Sequence, residues 1–277
     1  MYEEPISKSM IDSLEDKAKE MRREMVKMVQ NAGSGHLSPA LSCADLVTAL
    51  YFRVLRINPQ NPKDEDRDRF LLSAGHKCLS LYVALAMAGY FPREALTTFL
   101  QFDSMLGGHP DSSKIPGVEI STGALGHGLP IGVGVALGGK LLKKEYKTYV
   151  LLGDGEVSEG SNWEAASAAI HFKLDNLIGI IDRNGLCADG SISEVMNVEP
   201  LVDKWSAFGW EVREIDGHNV EQIVGVLESV PMKKDKPTMI IANTIKGKGV
   251  SFMENRYEWH NKVPTPEQFE IAFKELA

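Results

Sequence analysis

Apolar positions along this chain follow two alternating rhythms, a three-to-four-residue step and short unbroken runs. Ile11, Leu14, Ala18, Met21, Met25 and Met28 fall on the first rhythm, which predicts an amphipathic helix over 9–30. Two glycines and Pro39 interrupt it in Asn31–Pro39, and Ser42-Cys43-Ala44-Asp45 opens a second helix that runs to about Arg53. A polar, turn-rich loop (58–68) leads into a short strand, Arg69–Ser73, which ends in Ala74-Gly75-His76 and is followed by a helix to Ala88. Pro92–Phe99 reads as a short helix with proline near its first turn. Residues 103–123 are mostly turn formers. Gly126–Leu142 is small and apolar and reads as a buried helix, since glycines let neighbouring backbones approach.

The same alternation continues to the end of the chain. Tyr149–Leu152 and Leu177–Ile181 are apolar runs separated by a helical pattern. Pro200–Phe208 is helical, Trp210–Ile215 alternates as a strand ending at Asp216-Gly217-His218, and Asn219–Ser229 is helical again. Pro237–Asn243 is a strand, and Pro264–Leu276 an amphipathic helix expected to lie exposed. Strands alternating with helices imply an α/β fold, a mostly parallel sheet with helices on both faces. No linker divides the chain, so residues 1–277 are expected to form one domain with an N-terminal helical extension over 1–30.

Composition narrows the classes. Apolar residues make up 43% and charged residues 25%, ordinary for a soluble globular domain. A net charge of -8 argues against nucleic acid or an anionic membrane as partner. No long apolar run suggests a membrane span, and the acidic N-terminus lacks a signal-peptide pattern. Three scattered cysteines, Cys43, Cys78 and Cys187, suggest reduced thiols and a cytoplasmic setting.

The candidate chemistry centres on Gly153–Asn184. One apolar run ends in Gly153-Asp154-Gly155, the next in Asp182-Arg183-Asn184. Parallel strands joined by a crossover helix bring both ends to one sheet edge, where ligands bind in open α/β sheets. Asp154 and Asn184 can then hold one hard cation, with magnesium's remaining positions left to waters or ligand phosphates. The glycines flanking Asp154 allow close approach of a ligand, and helix N-termini favour anions. His36, His76, His109 and His127 lie in glycine-rich or strand-end loops and His260 in the C-terminal loop, where imidazoles can donate to phosphate oxygens or shuttle protons. Their spacing is not that of a zinc site. Glu159, early in the helix after Asp154, either binds a partner's group or stabilises the helix N-terminus.

GDG followed at crossover distance by Asn resembles the diphosphate-and-metal signature of thiamine-diphosphate enzymes. In the form GDGEVSEGSNWEA…DRNGLCADG it resembles transketolase in particular. The segments NAGSGHLSPALSCADLVTALYF, DRFLLSAGHKCLSLYVALAMAGY, GGHPD, STGALGHGLPIGVGVALGGKL, DGHN and NTIKGKGVSFMEN follow that family in order over nearly the whole chain. The resemblance implies thiamine diphosphate as cofactor with magnesium (or manganese or calcium) held by Asp154, Asn184 and the carbonyl of Leu186. It places Gly153 and Gly155 at the diphosphate, and Gly123 and Leu125 at the aminopyrimidine. It gives His36, His76, His109 and His260 catalytic roles, His76 and His260 also meeting the cofactor. Glu159 is implied in an acidic network linking paired active sites.

The chain departs from the family at Leu37, His127 and Asn261, and His127 is expected to alter the pocket wall. A chain of 277 residues has no room for the family's pyrimidine and C-terminal domains besides this one. The resemblance therefore implies the N-terminal subunit of a two-chain transketolase, working with a separate C-terminal subunit that carries the pyrimidine domain, with two copies of each. The reaction implied is transfer of a two-carbon ketol group from a ketose phosphate to an aldose phosphate, as in pentose phosphate metabolism. Alternatives are an alpha-type subunit of a 2-oxoacid dehydrogenase, a deoxyxylulose-phosphate synthase, a specialised transketolase for an unusual ketose phosphate or sulfosugar, and a non-catalytic cofactor-binding regulator.

Overall fold

Five short strands pair in one parallel sheet: β1 (Arg69–Leu72), β2 (Thr148–Gly153), β3 (Leu177–Arg183), β4 (Glu211–Asp216) and β5 (Thr238–Asn243). Their order across the sheet is β1-β2-β3-β5-β4. The computed structural model that shows this describes residues 6–277, so residues 1–5 of the expected N-terminal extension lie outside the described part. All four pairings are parallel, so every strand must cross over to the next and all carboxyl ends share one edge. The register sets Gly153 opposite Asp182 and Arg183 opposite Asn243.

Alternate side chains of each central strand enter opposite cores. Tyr149, Leu151, Ile178, Ile180, Ile240 and Ala242 join one; Val150, Leu152, Leu177, Ile181, Met239 and Ile241 join the other. The first is covered by α1 (Lys8–Ala32), α2 (Leu37–Ser42), α3 (Ala44–Ala49), α4 (Cys78–Ala88), α9 (Val220–Glu228) and α10 (Pro266–Glu275). The second is covered by α5 (Gly128–Leu141), α6 (Gly160–His171) and α8 (Leu201–Ala207), with the single turn α7 (Ile192–Val195) beside them. Burial on both faces is why the inner strands read as continuous apolar runs. The edge strand β4 differs: none of its residues is fully buried, and the adjacent Arg213 and Glu214 are both exposed. Among the described residues no helix is long and apolar enough to cross a membrane, and all three cysteines are free thiols.

Several elements differ from expectation. The helix set to begin near Ser42 begins at Leu37, because Pro39 falls in the first turn, where a missing N–H costs nothing. It resumes as α3 and ends in one wide turn, Leu50–Val54. Residues Arg93–Thr98 form tight three-residue turns rather than an α-helix. The helix expected as an N-terminal extension packs on α3 and α4, with Met21, Met25 and Val29 fully buried, so it belongs to the helical cover. The C-terminal helix, expected to lie exposed, docks on α1 through buried Phe269 and Ala272 and starts in a reciprocal Thr265–Gln268 cap. In α5 only one face is buried, while Ile131, Leu141 and Leu142 are exposed. Its buried face needs glycine: a β-carbon on Gly132 would come within 2.6 Å of Val150 on β2.

Candidate active site

Beyond Gly153 the chain turns at once. Asp154 caps the tight turn Gly155–Ser158, its Oδ1 accepting from the Gly155 N–H at 2.9 Å. Its Oδ2 accepts from the Gly185 N–H at 2.6 Å, in the loop after β3. One carboxylate therefore ties two neighbouring strand ends together. In that second loop Asn184 Oδ1 accepts from the Leu186 N–H at 3.1 Å. Asp154 is only 3% exposed. Burial, then the nearby Asp182 charge, pushes its carboxyl up to about 6. Among the described residues no three carboxylate, imidazole or thiolate groups gather as metal ligands. The donor set available is Asp154 carboxylate, Asn184 amide oxygen and Leu186 carbonyl, all oxygens, as a hard divalent cation prefers. A cation there would relieve the burial penalty on Asp154.

A cavity of about 420 Å³ opens above these strand ends. Twelve of the residues singled out from the sequence line it: His36, His76, His109, Gly123, Leu125, Gly153, Asp154, Gly155, Glu159, Asn184, Leu186 and His260. Neither glycine is demanded by the protein's own packing: a β-carbon on Gly155 would meet Cys187 at 3.4 Å and one on Gly153 would meet Lys77 at 3.6 Å, ordinary contact distances. His127 is the exception among the loop histidines. It is exposed, lies outside this lining and reaches the wall only through Nδ1, 3.1 Å from the carbonyl of Leu125. A neighbouring groove of about 440 Å³, lined by Trp163, Met196 and Phe208 among others, holds Lys204 as its single charged group.

Four imidazoles converge from four separate segments. The His36 ring centroid lies 5.6 Å from His76, 6.3 Å from His109 and 5.4 Å from His260, and His76 lies 5.1 Å from His260. Burial, reinforced by Lys77 and then by neighbouring imidazoles, holds His76 down to about 2. Burial and Lys246 hold His260 down to about 3. His36 is lowered as well, by burial and then by His109. These three rings are neutral near pH 7, so each offers one N–H donor and one lone pair. Glu159 stands exposed at the rim.

Four charged residues that belong to none of the sequence motifs' expected ligands organise this rim. Lys77 and Asp182 form a buried ion pair at 2.5 Å, side chains 2% and 0% exposed. Ser42 and Thr244 also donate to Asp182. Burial is the largest single influence and opposes both charges, but the ion pair and the neighbouring groups together outweigh it, so Lys77 is raised and Asp182 lowered. Glu156 joins three loops: it accepts from the Ser73 hydroxyl, from the Gly126 N–H at 2.9 Å and from the Gly153 N–H at 3.1 Å. Burial still holds its carboxyl above the usual range. Lys246 reaches over the loop after β3, its Nζ 3.1 Å from the Leu186 carbonyl. A carbonyl oxygen has two lone pairs, which leaves one for a cation. The signal for these residues was positional. Lys77 follows the strand-end histidine and Asp182 precedes Asn184, so reading every residue of a strand-end turn finds both.

The family described as "Transketolase, thiamine diphosphate binding domain" matches residues 14–268. The chain is 47% identical over 267 residues to a subunit of the apulose-4-phosphate transketolase of Phocaeicola vulgatus, covering 96% of this chain and 95% of that one. It is 42% identical over 271 residues to the 6-deoxy-6-sulfo-D-fructose transketolase subunit SqwG of Clostridium sp., covering 98% of both. The transketolase of Campylobacter jejuni superposes with a TM-score of 0.90 at 36% identity, over 96% of this chain and 43% of that longer one. With one family match spanning almost every described element, and relatives that align across nearly their whole length, the chain belongs to the transketolase family as its thiamine diphosphate binding domain.

Proposed function

We propose that this chain is the N-terminal subunit of a two-chain transketolase. The observation that carries the reading is the convergence of twelve sequence-derived candidates, His127 excepted, on one cavity at the carboxyl edge of the sheet. Asp154, Asn184 and the Leu186 carbonyl hold a divalent cation, magnesium by preference, and Gly153 and Gly155 make room for the diphosphate. Gly123 and Leu125 line the cavity wall toward the aminopyrimidine. Thiamine diphosphate, when bound, supplies a carbanion centre and an electron sink for the two-carbon unit. The imidazoles of His36, His76, His109 and His260 donate to substrate oxygens and hold or pass protons of the sugar hydroxyls.

The separate C-terminal subunit completes the site. Two relatives that match this chain in length are themselves named as transketolase subunits, which supports a division of the enzyme between two chains. Glu159 is exposed at the rim, which supports a role for it in contact with that partner. A heterotetramer with two of each chain follows from paired sites. The donor is a ketose phosphate or a sulfosugar and the acceptor an aldose phosphate, since the relatives' names carry apulose 4-phosphate and 6-deoxy-6-sulfo-D-fructose.

The test is reconstitution. Purified chain with thiamine diphosphate, magnesium, a ketose phosphate donor and an aldose phosphate acceptor shows no steady turnover until a C-terminal subunit is added. Steady turnover by the chain alone overturns the two-chain reading. Asp154→Ala abolishes cofactor binding and reconstituted activity together, and unchanged activity overturns the cation assignment.

A further inference from the structure

Lys246 is buried, 1% exposed, on the loop after β5. Its ammonium has three hydrogens and meets three acceptors. The carbonyls of Leu186 and Cys187 are each 3.1 Å away and His260 Nδ1 is 2.9 Å away. The loop that carries it is pinned on both sides. The Ile245 N–H donates to His218 Nε2 at 2.8 Å, and the Gly247 N–H donates to the Ser38 carbonyl at 3.0 Å. The Asn255 N–H closes the loop on the Lys246 carbonyl at 3.0 Å. Lys246 is thus set in place by its own backbone before any ligand arrives, and it bridges the loop after β3 to the C-terminal loop of His260.

An ammonium has no lone pair, so a ring nitrogen that pairs with it must accept. A neutral imidazole that accepts at Nδ1 carries its proton on Nε2. We infer that Lys246 is a positioning residue for His260, holding that ring as the Nε2–H tautomer so that it enters the cavity as a hydrogen-bond donor. On the ring edge that Lys246 does not cover, His260 can then donate to a phosphate, carbonyl or hydroxyl oxygen. It has no free lone pair there with which to take a proton. Base duties at the site therefore fall to the other imidazoles. This division of labour deepens the transketolase reading and rests on it; the tautomer itself rests only on the contacts around Lys246.

The experiment separates the two. Full-length chain labelled with ¹⁵N-histidine is measured by long-range ¹H–¹⁵N correlation, with His260 assigned from the signals lost in His260→Gln. The expected parent spectrum has protonated, pyrrole-type Nε2 and pyridine-type Nδ1, the latter shifted by its bond to the ammonium. Lys246→Arg, which also donates, keeps both signals. Lys246→Met moves the Nδ1 signal and admits the Nδ1–H form. A parent His260 protonated at Nδ1 overturns the inference, as does an Nδ1 signal identical in Lys246→Met. The parent spectrum decides even if the methionine variant fails to fold. None of these readouts requires turnover, so a failed tautomer assignment is distinct from a failed reconstitution.

Discussion

Two buried carboxylates one strand apart behave in opposite ways. Asp182 and Asp154 are 0% and 3% exposed, and Asp182 lies opposite Gly153, the residue before Asp154. Burial alone would raise both. Asp182 is nonetheless lowered, because Lys77 sits 2.5 Å away and the Ser42 and Thr244 hydroxyls complete its shell. Asp154 has two backbone N–H donors and no cation of its own, and burial together with the Asp182 charge takes it to about 6. The first carboxylate is satisfied by the fold and serves the fold. The second faces a cavity with part of its charge uncompensated, which is the state expected of a group awaiting a cation from outside.

The sharpest way to break this contrast is to remove the internal cation. Lys77→Met leaves Asp182 buried without its partner, and denaturant unfolding is expected to show a loss of about 3–5 kcal/mol. A change below about 1 kcal/mol would mean that Asp182 is not satisfied by Lys77. Next in size, Asp154→Asn removes the ligand charge, and calorimetric titration with magnesium and thiamine diphosphate is expected to show affinity lower by about 100-fold, roughly 2.7 kcal/mol. The same variant should also lose about 1–2 kcal/mol on unfolding without cofactor, because its amide N–H is set against one of the two backbone N–H groups that the carboxylate accepts from.

Glu156→Gln tests a third buried carboxylate, one that accepts from three loops. Replacing an acceptor by an amide N–H sets donor against donor, so the expected cost in unfolding experiments is about 2 kcal/mol. A smaller effect is read from pH. Unfolded histidine titrates near 6.5, whereas folded His76 is held down to about 2. Above pH 6.5 its contribution to stability is fully present; as pH falls toward 2 the unfolded state takes up the proton and the contribution is lost. Between pH 7 and 5 the parent should lose about 1–2 kcal/mol through this group, and His76→Gln should decline less steeply over that range. Equal slopes would show that the ring is not held neutral by the fold.

Much of this architecture was legible from residue patterns. The runs Tyr149–Leu152, Leu177–Ile181 and Pro237–Asn243 are apolar on both alternations, which only a doubly covered strand tolerates, and all three are central strands. Asp154 and Asn184 could be placed on one edge because a crossover helix between parallel strands leaves no other outcome. Patterning misjudged the surfaces of helices. The α5 sequence is apolar all round, yet only its Leu129, Gly132 and Ala136 side meets the sheet. The α10 pattern looks like a solvent helix because its buried face is only a few residues wide, Phe269 and Ala272 among them. Neither sequence names the element across from it.

Local chemistry along the chain thus determined the strands, the crossover order of the two ligand-bearing turns and the residue types available at each strand end. It did so because periodicity and turn propensity act over a few neighbouring residues. Tertiary structure alone decided which charges neutralise one another. Lys77 and Asp182 are separated by 105 residues in sequence and 2.5 Å in space, and Lys246 meets the loop of Leu186 and the ring of His260 only once three loops close on the same edge. Coulomb and desolvation energies depend on distance and burial, which no local pattern encodes. For that reason the sequence could present Asp154 and Asp182 as two similar acids, and only folding made one a buried ion pair and left the other lining a cavity.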